Sequence, residues 1–162
     1  MKNKKAYFIT QAAAVAAIYV VLTLAINAFD LASGAIQVRI SEALTILPYF
    51  TPAAVPGLFI GCLLSNLFTG APIWDIIFGS LATLLGALGT YLVRKNKWLA
   101  PFPPIIANML IIPLVLHFAY GLPGGIPFFM LTVGIGEIIS CGFLGMPLLF
   151  LLQKYRNVIF RQ

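Results

Sequence analysis

The sequence predicts an all-α, polytopic membrane protein with six transmembrane helices and both termini in the cytoplasm. Hydrophobic residues make up 61% of the 162 residues and charged residues only 9%, whereas an ordinary soluble domain carries roughly 25% charged residues. Several apolar runs approach the ~20 residues that cross ~30 Å of hydrocarbon. Residues 1–162 are therefore expected to form a single integral domain of the cell membrane, with no soluble catalytic or nucleotide-binding domain.

The net charge of +6 is concentrated in short clusters beside apolar runs. The clusters are Lys2, Lys4 and Lys5; Arg94, Lys95 and Lys97; and Lys154, Arg156 and Arg161. Under the positive-inside rule such clusters mark cytoplasmic ends of helices. A nucleic-acid partner is not expected, because its binding needs a basic stripe with interleaved aromatic residues.

Helix 1 is predicted at residues 6–29, followed by an external loop at 27–34 with Asp30 as a turn residue. Helix 1 carries two pairs of small residues four positions apart, which permit close helix contact in lipid. These pairs are Ala12 with Ala16 and Ala13 with Ala17. Packing within the protein and docking of a partner protein explain the pairs equally well.

Residues 40–69 contain three prolines, which interrupt helices, and are interpreted as two crossings. Two crossings place all three basic clusters on one side, whereas one crossing does not. Helix 2 is therefore predicted at residues 39–50 and helix 3 at 53–68. At 1.5 Å per residue helix 2 reaches only ~18 Å, so it must be short, tilted or sheltered by its neighbours.

Helices 4, 5 and 6 are predicted at residues 73–93, 105–119 and 127–152. Trp74 and Trp98 on opposite sides of helix 4 fit the interfacial positions that tryptophan prefers. Helix 6 returns the chain to the side of the basic clusters, which gives the six-helix count.

Polar residues at predicted membrane depth are candidate ligand-binding residues, because burying them in lipid is costly. The candidates are Arg39, Glu42, Asn66, Asp75, His117 and Glu137. Glu137 lies ~15 Å along helix 6, near the bilayer centre. The others lie towards the external side, which predicts a polar cavity that opens outwards.

Structural roles remain open for several of these candidates. Arg39 and Glu42 are three residues apart and fit a simple ion pair. Asp75 fits a cap at the start of helix 4, and His117 fits an interfacial residue near a helix end. Glu137 has no neighbouring cation in the sequence, so it needs a partner or a proton.

The sequence contains no recognisable catalytic motif, which argues against an enzyme. His-Glu-x-x-His, Walker and Gly-x-Ser-x-Gly patterns are absent, and one histidine is too few for a typical zinc site. Cys62 and Cys141 lie in apolar runs and are interpreted as buried thiols, not as a disulfide or metal ligands. The pattern favours a binder or carrier of a small polar ligand that needs no cofactor or metal.

The segment Arg39-Ile40-Ser41-Glu42-Ala43-Leu44-Thr45-Ile46-Leu47-Pro48 resembles the QueT family of queuosine-precursor transporters. Further similar segments are residues 75–84 (DIIFGSLATL) and 133–137 (VGIGE). The resemblance covers nearly the whole chain and implies a six-helix substrate-binding S component of an energy-coupling factor (ECF) importer. The implied ligand is 7-aminomethyl- or 7-cyano-7-deazaguanine.

The same resemblance implies partners that supply the energy for uptake. They are a transmembrane coupling subunit and two cytosolic ATPases, and the S component is expected to topple in the membrane to deliver its ligand. The face of helix 1 expected to dock on the coupling subunit consists of Ala12, Ala13, Ala16 and Ala17. Alternatives are an S component for another vitamin or nucleobase, and a stand-alone small-molecule carrier.

Overall fold

Every regular element in the computed structural model, which describes residues 4–28 and 39–160, is helical. The elements are α1 (Lys4–Ala28), a 3₁₀ helix (Ile40–Tyr49), α2 (Ala54–Phe68), α3 (Asp75–Leu92), a 3₁₀ turn (Lys97–Leu99), α4 (Phe102–Leu114, extended by the π-helical turn Val115–Ala119), α5 (Ile126–Lys154) and α6 (Arg156–Ile159). Residues 29–38, which include Asp30 and most of the predicted loop, lie outside the described residues, as do Lys2 and Arg161.

Within residues 4–28 and 39–160, four helical segments are long and apolar enough to cross a membrane. They are Lys4–Ala28, Asp75–Leu92, Lys97–Ala119 and Ile126–Lys154, and α2 adds a shorter apolar helix of 15 residues. The all-helical class predicted from the sequence is confirmed, and the spans are those of a multi-pass membrane protein. The count of six crossings additionally requires α2 and the 3₁₀ helix, and it stays a prediction.

The 3₁₀ helix Ile40–Tyr49 lies where the sequence predicted helix 2, and it is enclosed by protein. All residues from Ser41 to Pro48 are buried, and α1, α3 and α5 pack around the segment. A 3₁₀ helix rises ~2.0 Å per residue, so ten residues cover ~20 Å, more than an α-helix of equal length. The sequence predicts that this segment is short, tilted or sheltered by its neighbours. The structure shows that neighbouring helices shelter it.

The bundle has one end that is rich in basic residues, which we call the basic end. There the Tyr7 hydroxyl donates to the carbonyl of Ile159 (3.3 Å), so the start of α1 meets the end of the chain. The Lys97 ammonium lies 5.0 Å from the centre of the Phe150 ring, which joins the α3–α4 connection to α5. The described members of all three basic clusters are therefore at the same end.

Small residues allow α1 and α2 to pack backbone against backbone. A Cβ atom added to Gly57 would lie 2.6 Å from the carbonyl oxygen of Ala12, and one added to Gly61 would lie 3.1 Å from the Cα of Ala16. These distances are shorter than ordinary contacts, so only glycine fits at both positions. Close van der Waals contact of this kind is a main source of helix association in lipid.

The two small-residue pairs of α1 consequently have different surroundings. Ala12 and Ala16 pack inside the protein against α2. Ala13 and Ala17 remain exposed. Only the second pair presents a free surface in the isolated chain.

We expect Gly57→Ala to lower the thermal unfolding midpoint, because its methyl group must push α1 away from α2. Overpacking of this kind costs about 1–3 kcal/mol. The matched control is Gly142→Ala, whose Cβ would meet only Ile138 Cγ2 at 3.9 Å. Equal midpoints for the two variants in the same detergent would contradict the close α1–α2 packing.

Candidate functional site

Glu42 is a buried carboxylate in the middle of the bundle. Its side chain is 1% exposed. Oε1 accepts a hydrogen bond from the Tyr19 hydroxyl and another from Thr83 Oγ1 (3.4 Å). Oε2 is also buried and has no hydrogen-bond partner among the described residues. Buried polar atoms are nearly always hydrogen-bonded. Oε2 is therefore the acceptor of this cluster that is available to bind a ligand.

The fold places the two donors of Glu42 for identifiable reasons. Tyr19 follows the small residues of α1 that contact α2, so its ring enters the bundle and is 1% exposed. Thr83 lies on the buried face of α3, where it also donates to the carbonyl of Gly79 (3.1 Å). Glu42 itself is in the first turn of the 3₁₀ helix.

Glu137 is the second buried carboxylate of the site, at 8% exposure. Cys141 lies four residues further along α5 and therefore on the same face. Its thiol donates to Glu137 Oε2 (3.3 Å) and also lies 3.5 Å from the backbone carbonyl oxygen of Glu42. One oxygen of each carboxylate and the Cys141 sulfur lie within 4.8 Å of one another. The structure thus brings together two acids that are 95 positions apart in the sequence.

Arg39 supplies the positive charge that two adjacent carboxylates need. Two like charges this close repel strongly in a low-dielectric interior. The Arg39 backbone N–H donates to Ser140 Oγ (3.2 Å), next to Cys141, so Arg39 enters the bundle beside the residue that contacts both Glu42 and Glu137.

The same group has a donor set that a metal ion accepts, namely two carboxylate oxygens and a thiol. The Arg39 charge competes with a metal at this position, and the Cys141 proton is engaged by Glu137. A small cationic or hydrogen-bond-donating ligand is compatible with both features. The absence of a metal, as predicted from the sequence, stays a prediction.

Asn66 and Asp75 form a neighbouring polar layer. Asn66 is 4% exposed, and its Nδ2 donates to the backbone carbonyl of Asp75 (3.2 Å). The half-buried Asp75 lies beside Tyr120, which follows α4 outside the apolar spans. Burial and the nearby Asp75 carboxylate raise the pKa of Tyr120 to about 12. Asn66 Nδ2 also lies 3.6 Å from the sulfur of Cys62, one turn earlier on α2.

His117 is not part of this group. Its Nδ1 lies 3.2 Å from the carbonyl oxygen of Gly124, and its ring packs edge-on against Phe118 at 4.9 Å. These contacts connect the end of α4 to the following loop. Of the six predicted residues, the structure brings Arg39, Glu42 and Glu137 together.

Sequence reasoning missed the hydroxyl and thiol groups that surround the carboxylates. They are Tyr19, Thr45, Thr83, Ser140 and Cys141. The interval of four between Glu137 and Cys141 was a usable signal, because it places both on one helical face. Thr45 donates to the Glu42 carbonyl within the 3₁₀ helix (2.6 Å). The contacts of Tyr19 and Thr83 with Glu42 join different helices and have no signal in the local sequence.

Comparison with known proteins gives the family of this bundle. A family model described as the QueT transporter matches residues 9–154. The chain belongs to the QueT transporter family. The Queuosine precursor transporter QueT of Lactococcus lactis subsp. cremoris (strain MG1363) is 38% identical over 98 residues, which are 60% of this chain and 57% of that relative. No solved structure matches the chain.

The QueT family is described as a transporter family. The match over residues 9–154 includes all described parts of the carboxylate site. The aligned part spans less than two thirds of the Lactococcus relative. That protein's printed name connects it with a queuosine precursor.

We expect Tyr19→Phe to destabilise this QueT family protein by about 1–3 kcal/mol, because it removes a donor from a buried carboxylate. In a Glu42→Gln background the loss is expected to shrink by at least about 1 kcal/mol. Thermal unfolding of the single and double variants measures this coupling. Tyr7→Phe, which alters exposed hydrogen bonds at the basic end, is the control and should change stability by less than about 0.5 kcal/mol. Additive losses for Tyr19 and Glu42 would contradict the assignment.

Proposed function

We propose that this chain is the substrate-binding S component of an ECF-type importer, and that it binds 7-aminomethyl- or 7-cyano-7-deazaguanine. The observation that carries the proposal is the buried Oε2 of Glu42, which has no hydrogen-bond partner among the described residues. Glu42 lies in one cluster with the Glu137 carboxylate, in the 3₁₀ helix that begins directly after Arg39. Family membership and the printed name of the Lactococcus relative support the ligand class.

The chemistry of a 7-deazaguanine matches these three groups. Its N1–H and exocyclic amino group are adjacent donors, and a carboxylate accepts two donors side by side. Glu42 is assigned to this edge because its Oε2 has no partner among the described residues and can accept from the base, whereas Oε1 already accepts from Tyr19 and Thr83. Arg39 would donate to the ring carbonyl O6, as arginine does to guanine. Glu137 would then face the substituent at position 7.

The charge balance gives Glu137 a distinct role. With both acids ionised, the site carries −1, which a protonated aminomethyl group neutralises. A cyano group does not. Glu137 therefore contributes to binding of the aminomethyl ligand through an ion pair, whereas Glu42 contributes to both ligands through the shared base edge.

In the proposed topology the chain crosses the membrane six times, and both termini lie in the cytoplasm. The positive-inside rule orients the basic end towards the cytoplasm, so the opposite end, near Asp75 and Tyr120, faces outwards. The ATP that drives uptake would be hydrolysed by two partner ATPases. The exposed Ala13 and Ala17 would dock on the transmembrane coupling subunit.

Calorimetric titration of the purified protein with both deazaguanines tests the site. Glu42→Gln is expected to weaken both ligands by about 30-fold or more, because a donor of the base loses its charged acceptor. Glu137→Gln should weaken the aminomethyl ligand more than the cyano ligand. The control His117→Gln, remote from the carboxylates, should stay within about 3-fold. Unchanged affinity in both acid variants would refute the site.

Copurification with the coupling subunit and the ATPases tests the importer assignment. We expect Ala13→Leu with Ala17→Leu to disrupt the complex while ligand affinity stays unchanged, because bulky side chains block close helix contact. Ala25→Leu, on an exposed part of α1 further from the basic end, is the control. Transport by the chain alone in liposomes, without ATPases, would contradict the importer and favour a stand-alone carrier.

A further inference from the structure

A cavity of about 550 Å³ opens at the basic end of the bundle, away from the carboxylate site. It is lined by Tyr49, Phe50, Arg94, Lys95, Arg156 and Phe160. These residues come from the end of the 3₁₀ helix, the segment after α3, and the end of the chain. Its volume falls in the range of small-molecule sites, ~300–1,000 Å³.

The cavity carries three cations, and no acidic side chain from residues 4–28 or 39–160 lines it. The chain has four acidic residues. Among the described ones, Glu42 and Glu137 lie in the buried cluster, and Asp75 lies at the opposite end. No carboxylate is among the lining residues. Three neighbouring positive charges repel one another, so the folded protein favours an anion between them.

Aromatic rings give the cavity a fixed wall. The rings of Phe50 and Phe160 stack with centroids 4.9 Å apart and planes within 5°, and Tyr49 packs edge-on against Phe50 at 4.9 Å. The Arg94 guanidinium lies over the Tyr91 ring at 4.2 Å. Arg94, Lys95 and Arg156 are themselves exposed, and the contact with Tyr91 restricts where the Arg94 guanidinium can move.

The position of the cavity indicates the source of the anion. Basic residues beside transmembrane ends lie at the level of lipid phosphates, and basic pockets between such helices bind anionic head groups. Large apolar side chains flank the lining residues in the chain: Leu92 and Val158 are each 77% exposed. Such side chains would contact acyl chains below a bound head group.

We propose that this cavity binds the phosphate of an anionic phospholipid, with Arg94, Lys95 and Arg156 holding the head group against the stacked aromatic wall. The site is independent of the deazaguanine pocket. A lipid bound here bridges three segments that are far apart in the chain, and thereby fixes the basic end.

Native mass spectrometry of the full-length protein in detergent, titrated with phosphatidylglycerol, tests the proposal. Arg94→Gln with Arg156→Gln is expected to weaken phosphatidylglycerol binding at least about tenfold, since each basic residue contributes measurably to anionic-lipid attraction. Lys97→Gln with Lys154→Gln removes the same charge from the same end, outside the cavity, and should weaken binding by less than about 3-fold. If the double variant does not accumulate, Arg94→Gln and Arg156→Gln are measured singly, each with a loss of about 3-fold or more expected.

Three outcomes would overturn the proposal. Equal losses in the two double variants would show diffuse attraction to the basic end. Equal binding of phosphatidylcholine would show that the anionic charge is not recognised. Inorganic phosphate competing at the same concentration as phosphatidylglycerol would make the ligand a free anion. Deazaguanine affinity, measured in parallel, should be unchanged in every variant, which separates this test from that of the proposed transport function.

Discussion

The structure depends on compensating the buried Glu42 carboxylate. An ionised group without partners in an apolar interior is costly by several kcal/mol or more. Here Tyr19 and Thr83 donate to one oxygen, and Arg39 brings a positive charge to the start of the same segment. These groups come from α1, α3 and the start of the 3₁₀ helix. The carboxylate thus constrains three segments of the bundle at once, while its other oxygen stays unpartnered among the described residues.

The structure also depends on the close packing of α1 on α2. This packing places Tyr19 where it can donate to Glu42. Gly57 and Gly61 let α1 approach until Tyr19 is 1% exposed. A larger side chain at either glycine would move the Tyr19 ring and weaken its bond to Glu42. The small residues of α1 therefore affect the polar site although none of them has a polar side chain.

Composition predicted the helical class and the apolar spans, because long apolar runs are local signals. A separate short helix at residues 39–50 was also predicted from the sequence. The prolines interrupt a single long helix there, and two crossings place all three basic clusters on one side of the membrane. The sequence could not show that Glu42 and Glu137 meet, or that His117 stays apart, because these depend on how distant helices pack. Tyr19 and Thr83 were missed for the same reason: a single hydroxyl in an apolar run fits a core residue as well as a ligand to a carboxylate.

The enclosed 3₁₀ helix has a consequence for how the protein is made. A ten-residue segment that carries Glu42 and follows Arg39 is a poor substrate for direct insertion into lipid, where each central charge costs ~2.5–3.5 kcal/mol. Its cover includes α3 and α5, and α5 emerges from the ribosome late. We therefore expect the segment to reach its enclosed position only after most of the chain has been synthesised. Until then it would lie at the membrane interface or against α1. We also expect the polar centre to fold late, because a chain that stops before α5 lacks one of the helices that enclose it.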